Sequence, residues 1–362
     1  MEKRGSNAQS PTRALAPQLS VIMPVRNGAR FLEESLAALR ASDFPPDCWE
    51  LLVVDDASTD GSAGIAARYA DRVVRLERAA GPAAARNLGA RGASGQVLIF
   101  IDADVSVHRD VLQRFDDVLR DEPGIAAAFG AYDTRPRAPG LVSQYRNLLH
   151  HRVHAESPGD AETFWAGCGA VRRDVFAKAG EFDETMRQLE DIDLGYRVRA
   201  LGHRIVLQPD IQGTHLKRWT LRSMVATDLF GRGMTWTRLY LERRNRDRLD
   251  TLNIRRAEKV YTLLAALALA SLALAGLRRE ATWLIAALLC VLVVLLGNVP
   301  LFRWFAHERG VRFTLGVVPL RLLYYVVNAA AVTLALAGHL LPPRRRAPRR
   351  PTDGTGSDQP SS

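Results

Sequence analysis

Apolar and polar positions along this chain follow two different rules. From Leu19 to about His215, short apolar runs (LSVIMPV from Leu19, LLVVDD from Leu51, VVRLE from Val73 and VLIFIDAD from Val97) are separated by helical patterns over residues 29–42, 62–70 and 82–92. Near-continuous apolar strands divided by helices predict an α/β fold: a Rossmann-like mixed, mainly parallel sheet covered on both faces. In such sheets ligands sit beyond the carboxyl ends of the strands. Two of the runs, LLVVDDASTDGS and VLIFIDADV, end there in paired carboxylates.

The last third of the chain changes solvent. Val260 to Leu277 and Ala281 to Phe302 are uncharged runs separated only by Arg278, Arg279 and Glu280, and each is long enough to span a bilayer core. A third stretch, Phe313 to Leu341, is apolar apart from Arg321 and His339. Leu322 to Leu341 is read as its membrane helix, with the part before Arg321 interfacial or re-entrant. A buried helical hairpin in a soluble core is the alternative. Arg255, Arg256 and Lys259 before the first span, and Arg303, Arg309 and Arg312 after the second, mark a cytoplasmic side. Three spans would then place Arg344, Arg345, Arg346, Arg349 and Arg350 outside, against the positive-inside tendency. Either the third segment folds back or the tail is an exception.

Between body and spans, residues 220–249 interleave Leu221, Met224, Val225, Leu229, Met234, Trp236, Leu239 and Tyr240 with seven arginines at helical spacing. That pattern suits helices lying in the headgroup region, or a surface helix of the soluble domain. The organisation is therefore a disordered N-terminus over 1–18, an α/β domain over 19–215, an interfacial juxtamembrane region over 216–259, about three transmembrane helices over 260–341 and a disordered basic tail over 342–362.

Charge sharpens this division. The 362 residues carry a formal +10, which by itself suggests nucleic acid, an anionic membrane surface or a phosphorylated ligand. Residues 1–215 sum to −4, whereas 216–259 and 260–362 carry +7 each. The excess belongs to the membrane side, and nucleic acid is not an expected partner. With 47% hydrophobic and 24% charged residues the chain is no disordered or collagen-like polymer. Three cysteines are too few for a disulfide scaffold, and residues 1–19 show no apolar signal core, so the α/β domain is expected on the cytoplasmic face of a multi-pass inner-membrane protein.

Carboxylates crowded at adjacent strand ends repel one another unless a cation or donor-rich ligand is present. Asp102 and Asp104 are spaced i, i+2, so one can grip a divalent metal and the other a ribose or a second metal position. Such a pair also serves as a simple helix or turn cap.

Taken with its neighbours, the pair resembles a known family, the family 2 glycosyltransferases with the GT-A fold, over about Leu19 to His215. VIMPVRN (Val21–Asn27) is similar to the first strand and nucleotide loop, and VVDDASTDGS to the element that holds uracil and ribose. GPAAARNLGA is similar to the helix presenting an arginine to the donor, and IDADV to the metal motif. FWAGCGAVRRDVFAKAGEFDE looks like the acceptor segment, and LEDIDLGYRV like the motif carrying the catalytic base. The resemblance implies inverting transfer from a nucleotide diphosphate sugar, a UDP-sugar foremost, to a lipid-linked or glycan acceptor at the membrane, in cell-envelope polysaccharide synthesis. It implies Asp191 as general base with Glu190 orienting it or the acceptor. Pro24, Val25, Asn27, Asp55, Asp56, Arg86 and Asp102 would contact the donor, with Asp56 on the uracil imide. Mg2+ or Mn2+ would be held by Asp104 and Asp102, with His215 as a further ligand. Trp165, Cys168, Gly169, Arg218 and Trp219 would meet the acceptor.

In processive members of the family a Q-x-x-R-W motif lies near HLKRW (His215–Trp219); here Arg218 and Trp219 match and His215 replaces the glutamine, which counts against polymer synthesis. His150, His151 and His154 have no acid to complete a zinc set and predict an acceptor-facing or membrane-facing helix. Two other functions compete. One is transfer to polyprenyl phosphate, against which stands the long segment Ala131–Phe164. The other is a nucleotide-sugar-binding membrane protein without turnover, for which Asp191 would be unnecessary.

Overall fold

The computed structural model describes residues 17–242 and 255–340. The expectations for the first 16 residues, for 243–254 with four of the juxtamembrane arginines, and for the basic tail fall outside the described residues.

The α/β body begins β1 (Leu19–Val25), α1 (Ala29–Arg40), β2 (Trp49–Asp55), α2 (Ser62–Ala66), β3 (Arg72–Arg75), α3 (Pro82–Gly92), β4 (Val97–Ile101), β5 (Val105–Val107) and α4 (Val111–Asp121). It continues β6 (Ile125–Tyr132), α5 (Leu141–Ala155), β7 (Gly159–Ala161), β8 (Cys168–Arg172), α6 (Arg173–Lys178), α7 (Glu190–Ala200) and β9 (Arg204–His215). These strands form one sheet in the order β3-β2-β1-β4-β8-β6-β9-β5, with β7 also on β9. β3, β2, β1 and β4 are mutually parallel; β8 then runs antiparallel between β4 and β6, β9 is parallel to β6, and β5 and β7 are antiparallel to β9.

Strand alternation sends successive side chains to opposite faces. Val21, Met23 and Val25 pack with Leu32, Leu36 and Leu39 of α1 and Phe115 of α4. Ile22, Leu98 and Phe100 pack on the other face with Ala83 and Ala90 of α3 and Phe176 of α6. Both faces are covered, as the unbroken apolar runs require.

Beyond β9, α8 (Leu221–Ala226) leads through a π-helical stretch, Thr227–Gly233, into α9 (Met234–Glu242). The apolar third forms α10 (Arg256–Arg278), α11 (Ala281–Gly297), α12 (Val299–Arg309) and α13 (Val311–Leu340). By length and composition α10 and α13 can each cross a membrane, and α11 with α12 makes a third candidate, bent by 53° at the break. Two expectations change here. The second apolar run does not continue straight to Phe302: it breaks at Asn298 and Pro300, where proline at the start of α12 supplies no amide to α11. The third does not begin at Leu322; α13 is continuous from Val311 through Pro319.

Arg321 is the reason a continuous α13 tolerates a charge. It is buried, donates from Nε to Asn298 Oδ1 at 2.8 Å and pairs through Nη2 with Glu258 at 2.6 Å, tying α13 to α10 and to the α11–α12 break. On the body side Tyr145 and Leu148 of α5 share one core with Trp219, Met224, Phe305, Val317 and Leu320. His151 of α5 stacks on Trp304 of α12. The three-histidine helix thus joins the α/β body to the apolar helices.

Candidate active site

A cleft of about 390 Å³ opens beyond the carboxyl ends of β1 and β4, lined by Pro24, Val25, Arg26, Asn27, Gly28, Arg30, Phe31, Asp56, Gly81, Pro82, Ala85, Arg86, Asp102, Ala103, Asp104 and Lys217. Of the residues assigned to the donor from sequence, only Asp55 does not line it. Asp55 is fully buried behind the cleft, accepting from the Ser58 amide at 3.0 Å and lying 3.3 Å from Arg75 Nε. Asp56 builds the wall: its carboxylate accepts from the amides of Ala80 at 2.6 Å and Gly81 at 3.0 Å, with acceptor capacity left over for a ligand. Asn27, at φ 51°, accepts from the Thr59 amide at 2.8 Å and gives its own backbone amide to Ser58 Oγ, closing the loop after β1 against the turn after β2.

Arg86 organises the floor. Its side chain is buried, and it donates from Nη1 to Glu190 at 2.6 Å and from Nη2 to Asp102 at 2.7 Å while lying over the Phe182 ring. α3 thereby links the end of β4 to the start of α7. Burial pushes the Asp102 carboxyl up, with Asp104 adding to the rise and Arg86 opposing it. Asp104 goes the other way: burial alone would raise it, but the hydrogen bond and charge of His215 and the charge of Lys217 hold it below the usual carboxylate range.

Asp191 sits half-buried in the first turn of α7, next to Glu190, accepting from the Ala166 amide at 3.2 Å. Burial first, then the Glu190 charge, pushes its carboxyl up to about 6 against the opposing pull of Arg86. The residue before this helix, Leu189, is held at φ 65°, a conformation costly for a branched side chain, which turns the chain so that both acids face Arg86 and the 164–166 loop.

Strand register explains the metal candidates. Val105 pairs with His215, and the Leu216 amide donates to the Asp104 carbonyl at 2.8 Å, so Asp104 and His215 meet at the end of β9. His215 Nδ1 lies 2.5 Å from Asn147 Oδ1 and Nε2 faces Asp104 Oδ2 at 3.6 Å. A ring whose second nitrogen donates to an amide oxygen is the usual posture of a metal-binding histidine. Among the described residues no three His, Cys, Asp or Glu side chains close on a single point. The residues fit Mg2+ or Mn2+ as partial donors, the remainder coming from a diphosphate, as is common for Mg2+.

The acceptor-side candidates divide. Trp165, partly exposed, is ringed by Tyr132 at 4.9 Å, His150 at 4.8 Å and His154 at 5.5 Å, and precedes the amide that holds Asp191. Cys168 and Gly169 lie inside the sheet, paired with Ile101 and Phe100, and burial pushes the thiol far up; both are core positions. Trp219 is buried at the joint with the apolar helices, under Lys217 and Arg146, while Arg218 is exposed. Continuing the alternation of β9, it is Lys217 rather than Arg218 that follows His215 into the cleft. Arg26, Arg30 and Lys217 are further cleft cations; Arg26 and Lys217 follow the ends of β1 and β9, and Arg30 lies in the first turn of α1.

With the sheet order, the cleft and the Arg86 bridge in place, the comparison with known proteins points the same way. Residues 20–180, somewhat less than half of the chain, match the model of the family described as Glycosyl transferase family 2. Over this stretch the chain is similar to that family. Glycosyltransferase AglE of Haloferax volcanii is 28% identical over 208 residues, covering 56% of this chain and 68% of that protein. The pre-mycofactocin glycosyltransferase of Mycobacterium tuberculosis is 28% identical over 221 residues, covering 59% and 45%. The match therefore spans about two thirds of the first relative and less than half of the second. Among solved structures, mannosyltransferase PcManGT from Pyrobaculum calidifontis, in complex with GDP-Man and Mn2+, superposes with a TM-score of 0.57 at 20% identity over 90% of this chain and 89% of that one. S. aureus TarS 1–349 in complex with UDP-GlcNAc gives 0.50 at 17% identity over 89% and 91%. These likenesses establish the GT-A-like fold.

Proposed function

We propose that this chain is a family 2 glycosyltransferase anchored in the plasma membrane through its C-terminal helices. On this proposal it moves a sugar, with inversion, from a nucleotide diphosphate sugar to a membrane-proximal acceptor on the cytoplasmic side. The observation that carries the reading is the Arg86 bridge: one buried guanidinium joins Asp102, at the mouth of the cleft, to Glu190, beside Asp191. Donor and base are thereby fixed on opposite sides of a common point.

In this mechanism the nucleotide lies along Pro24–Asn27 and Asp56, with its diphosphate toward Asp102, Asp104, Lys217 and Arg30. Asp104 and Asp102, with His215, would hold a divalent ion, whose chemistry is to neutralise the departing diphosphate. Asp191, raised to about 6, is mostly ionised at neutral pH yet basic enough to take a proton. An acceptor hydroxyl gives that proton to Asp191 as its oxygen bonds to the anomeric carbon, and the bond to the diphosphate breaks on the opposite face. Trp165 offers an aromatic wall against which an acceptor sugar can lie. The boundaries 19–215, 216–259 and 260–341 are proposed as catalytic domain, interfacial region and membrane region.

A second reading, transfer to polyprenyl phosphate, gains from one observation. The segment Ala131–Phe164 is accounted for by α5 and β7, which dock against the sheet and α12, and so it need not be an elaborate acceptor loop.

The test is to incubate membranes containing the protein with UDP- and GDP-sugars, following nucleotide diphosphate release and label incorporation into lipid. One donor is expected to support both. Absence of release with every donor, in protein that binds none of the nucleotides, would overturn the reading.

A further inference from the structure

The π-helical stretch Thr227–Gly233 is pinned at both ends of a single arginine. A Cβ on Gly231 would run into the side-chain amide of Gln188, three residues before Asp191, and a Cβ on Gly233 would run into Ala331 of α13. One turn later, Leu239 and Trp236 of α9 pack against Leu189 and Ile192, which flank the two acids of α7. The stretch is thus fastened to the catalytic loop on one side and to an apolar helix on the other, and Arg232 projects from between these contacts. Single π turns inside helices recur at functional sites.

Asp228, the carboxylate of the same stretch, is taken by Arg146 in a buried bidentate pair at 3.0 and 2.5 Å. Arg232 itself forms no ion pair or hydrogen bond among the described residues, and its side chain is open to solvent. Its charge bears on Arg146, Asp228, Tyr132, His150, His154 and Asp191, in keeping with the contact of Gly231 on Gln188 at the start of α7. Burial keeps both histidines neutral at pH 7, His154 being lowered to about 4. Asp191 has its own donors in the amides of Ala166 and Ile192. A permanent cation without an ion pair among the described residues, on a stretch packed against the residues that flank a proposed base, is a site for an oxyanion.

Resting on the glycosyltransfer reading above, we propose that Arg232 binds the phosphate of an amphiphilic acceptor and holds it beside Asp191. The apolar part of such an acceptor would lie along the α13 side, because Gly233 seats this stretch directly on Ala331. Lipid-borne phosphate is the source the geometry favours over a phosphate free in solution.

The experiment uses the full chain in neutral detergent, with dodecyl phosphate as probe and dodecanol and inorganic phosphate as controls, binding being measured by titration calorimetry in the absence of nucleotide. Wild type is expected to bind dodecyl phosphate at least about tenfold more tightly than either control. Arg232→Gln should weaken that binding about tenfold or more, with Arg232→Lys between the two, while affinity for UDP and GDP stays at the wild-type value and reports an intact fold. Equal affinity of wild type and R232Q for dodecyl phosphate would overturn the proposal, as would equal affinity of wild type for dodecanol. Inorganic phosphate binding as tightly as dodecyl phosphate would overturn the amphiphilic assignment. Failure of the wild type to bind any nucleotide would count against the glycosyltransfer reading, and is scored separately.

Discussion

Arg86 and Glu190 stand 104 positions apart in the chain and meet in the floor of the cleft, Nη1 to carboxylate, at 2.6 Å. Neither side chain has room to turn to water. Removing the guanidinium leaves Glu190 and Asp102 as buried or partly buried acids without their cation. Arg86→Ala is expected to lower stability by about 3–5 kcal/mol and to abolish transfer, read by thermal melting and donor turnover. Arg86→Lys keeps the charge but cannot bridge two carboxylates, so it should retain more stability than activity.

Asp191→Asn separates binding from chemistry. Nucleotide affinity should persist while transfer falls by about 10²–10⁴; full transfer in this variant would rule out Asp191 as the base. For the wild type, transfer should rise with pH as the carboxylate ionises and level off above about 6, the value to which burial and Glu190 push it.

Stability should move in the opposite sense at the same residue. The folded form holds the Asp191 proton more tightly than an unfolded chain does, so its contribution favours folding below the ordinary carboxylate range and is lost as pH rises through about 6. D191N should therefore melt at a higher temperature than wild type at pH 7, and the gap should close near pH 4. A constant gap across this range would mean the carboxyl is not shifted.

Asp104→Ala tests the metal. Wild-type donor binding should weaken in chelator and recover with Mn2+ or Mg2+, and the variant should show the weak affinity throughout. Donor binding that is equally tight with and without chelator would exclude a metal bridge.

Gly195, one turn into α7, packs so closely that a Cβ would collide with the backbone of Thr163 and Phe164. Gly195→Ala should shift α7 against the loop that carries the Ala166 amide, costing about 1–3 kcal/mol and reducing kcat for transfer more than donor affinity. Steady-state kinetics with nucleotide binding as reference distinguish this from general unfolding.

Arg321 supports the apolar helices in a comparable way. Arg321→Ala leaves Glu258 without its cation and leaves the Tyr325 hydroxyl as the remaining side-chain donor to Glu258 and Asn298, so thermal stability in detergent should fall clearly. Adding Glu258→Gln should return part of it, because the stranded charge is then gone. No recovery in the double variant would show the pair to be energetically independent.

The local elements were legible in the sequence. Alternating apolar strands and helical periods place β1, β2, α1 and α3 within a residue or two of where they lie, and β4 from the right start though it ends three residues sooner, because burial on two faces demands unbroken apolar strands whatever the partner. The paired acids at strand ends identified the cleft for the same reason: strand ends are where a parallel sheet leaves room. Long-range pairing was not legible. Inserting β8 antiparallel between β4 and β6 buries Cys168 and Gly169 in the sheet, although their motif pointed to the acceptor. The uninterrupted α13 depends on Arg321 finding Glu258, a contact between helices that hydropathy cannot see.

What the sequence determined by itself is the chemistry available: acids at two strand ends, an acid pair opening a helix, and positive charge gathered after residue 215. Composition and period are local properties, and burial acts on them locally. Tertiary structure alone decided which of those charges are already satisfied. Arg86 is spent on two acids and Arg146 on Asp228, whereas Arg232 has no ion pair among the described residues. A charge's partner is set by distances of a few ångströms between residues far apart in the chain, and no linear pattern fixes those distances.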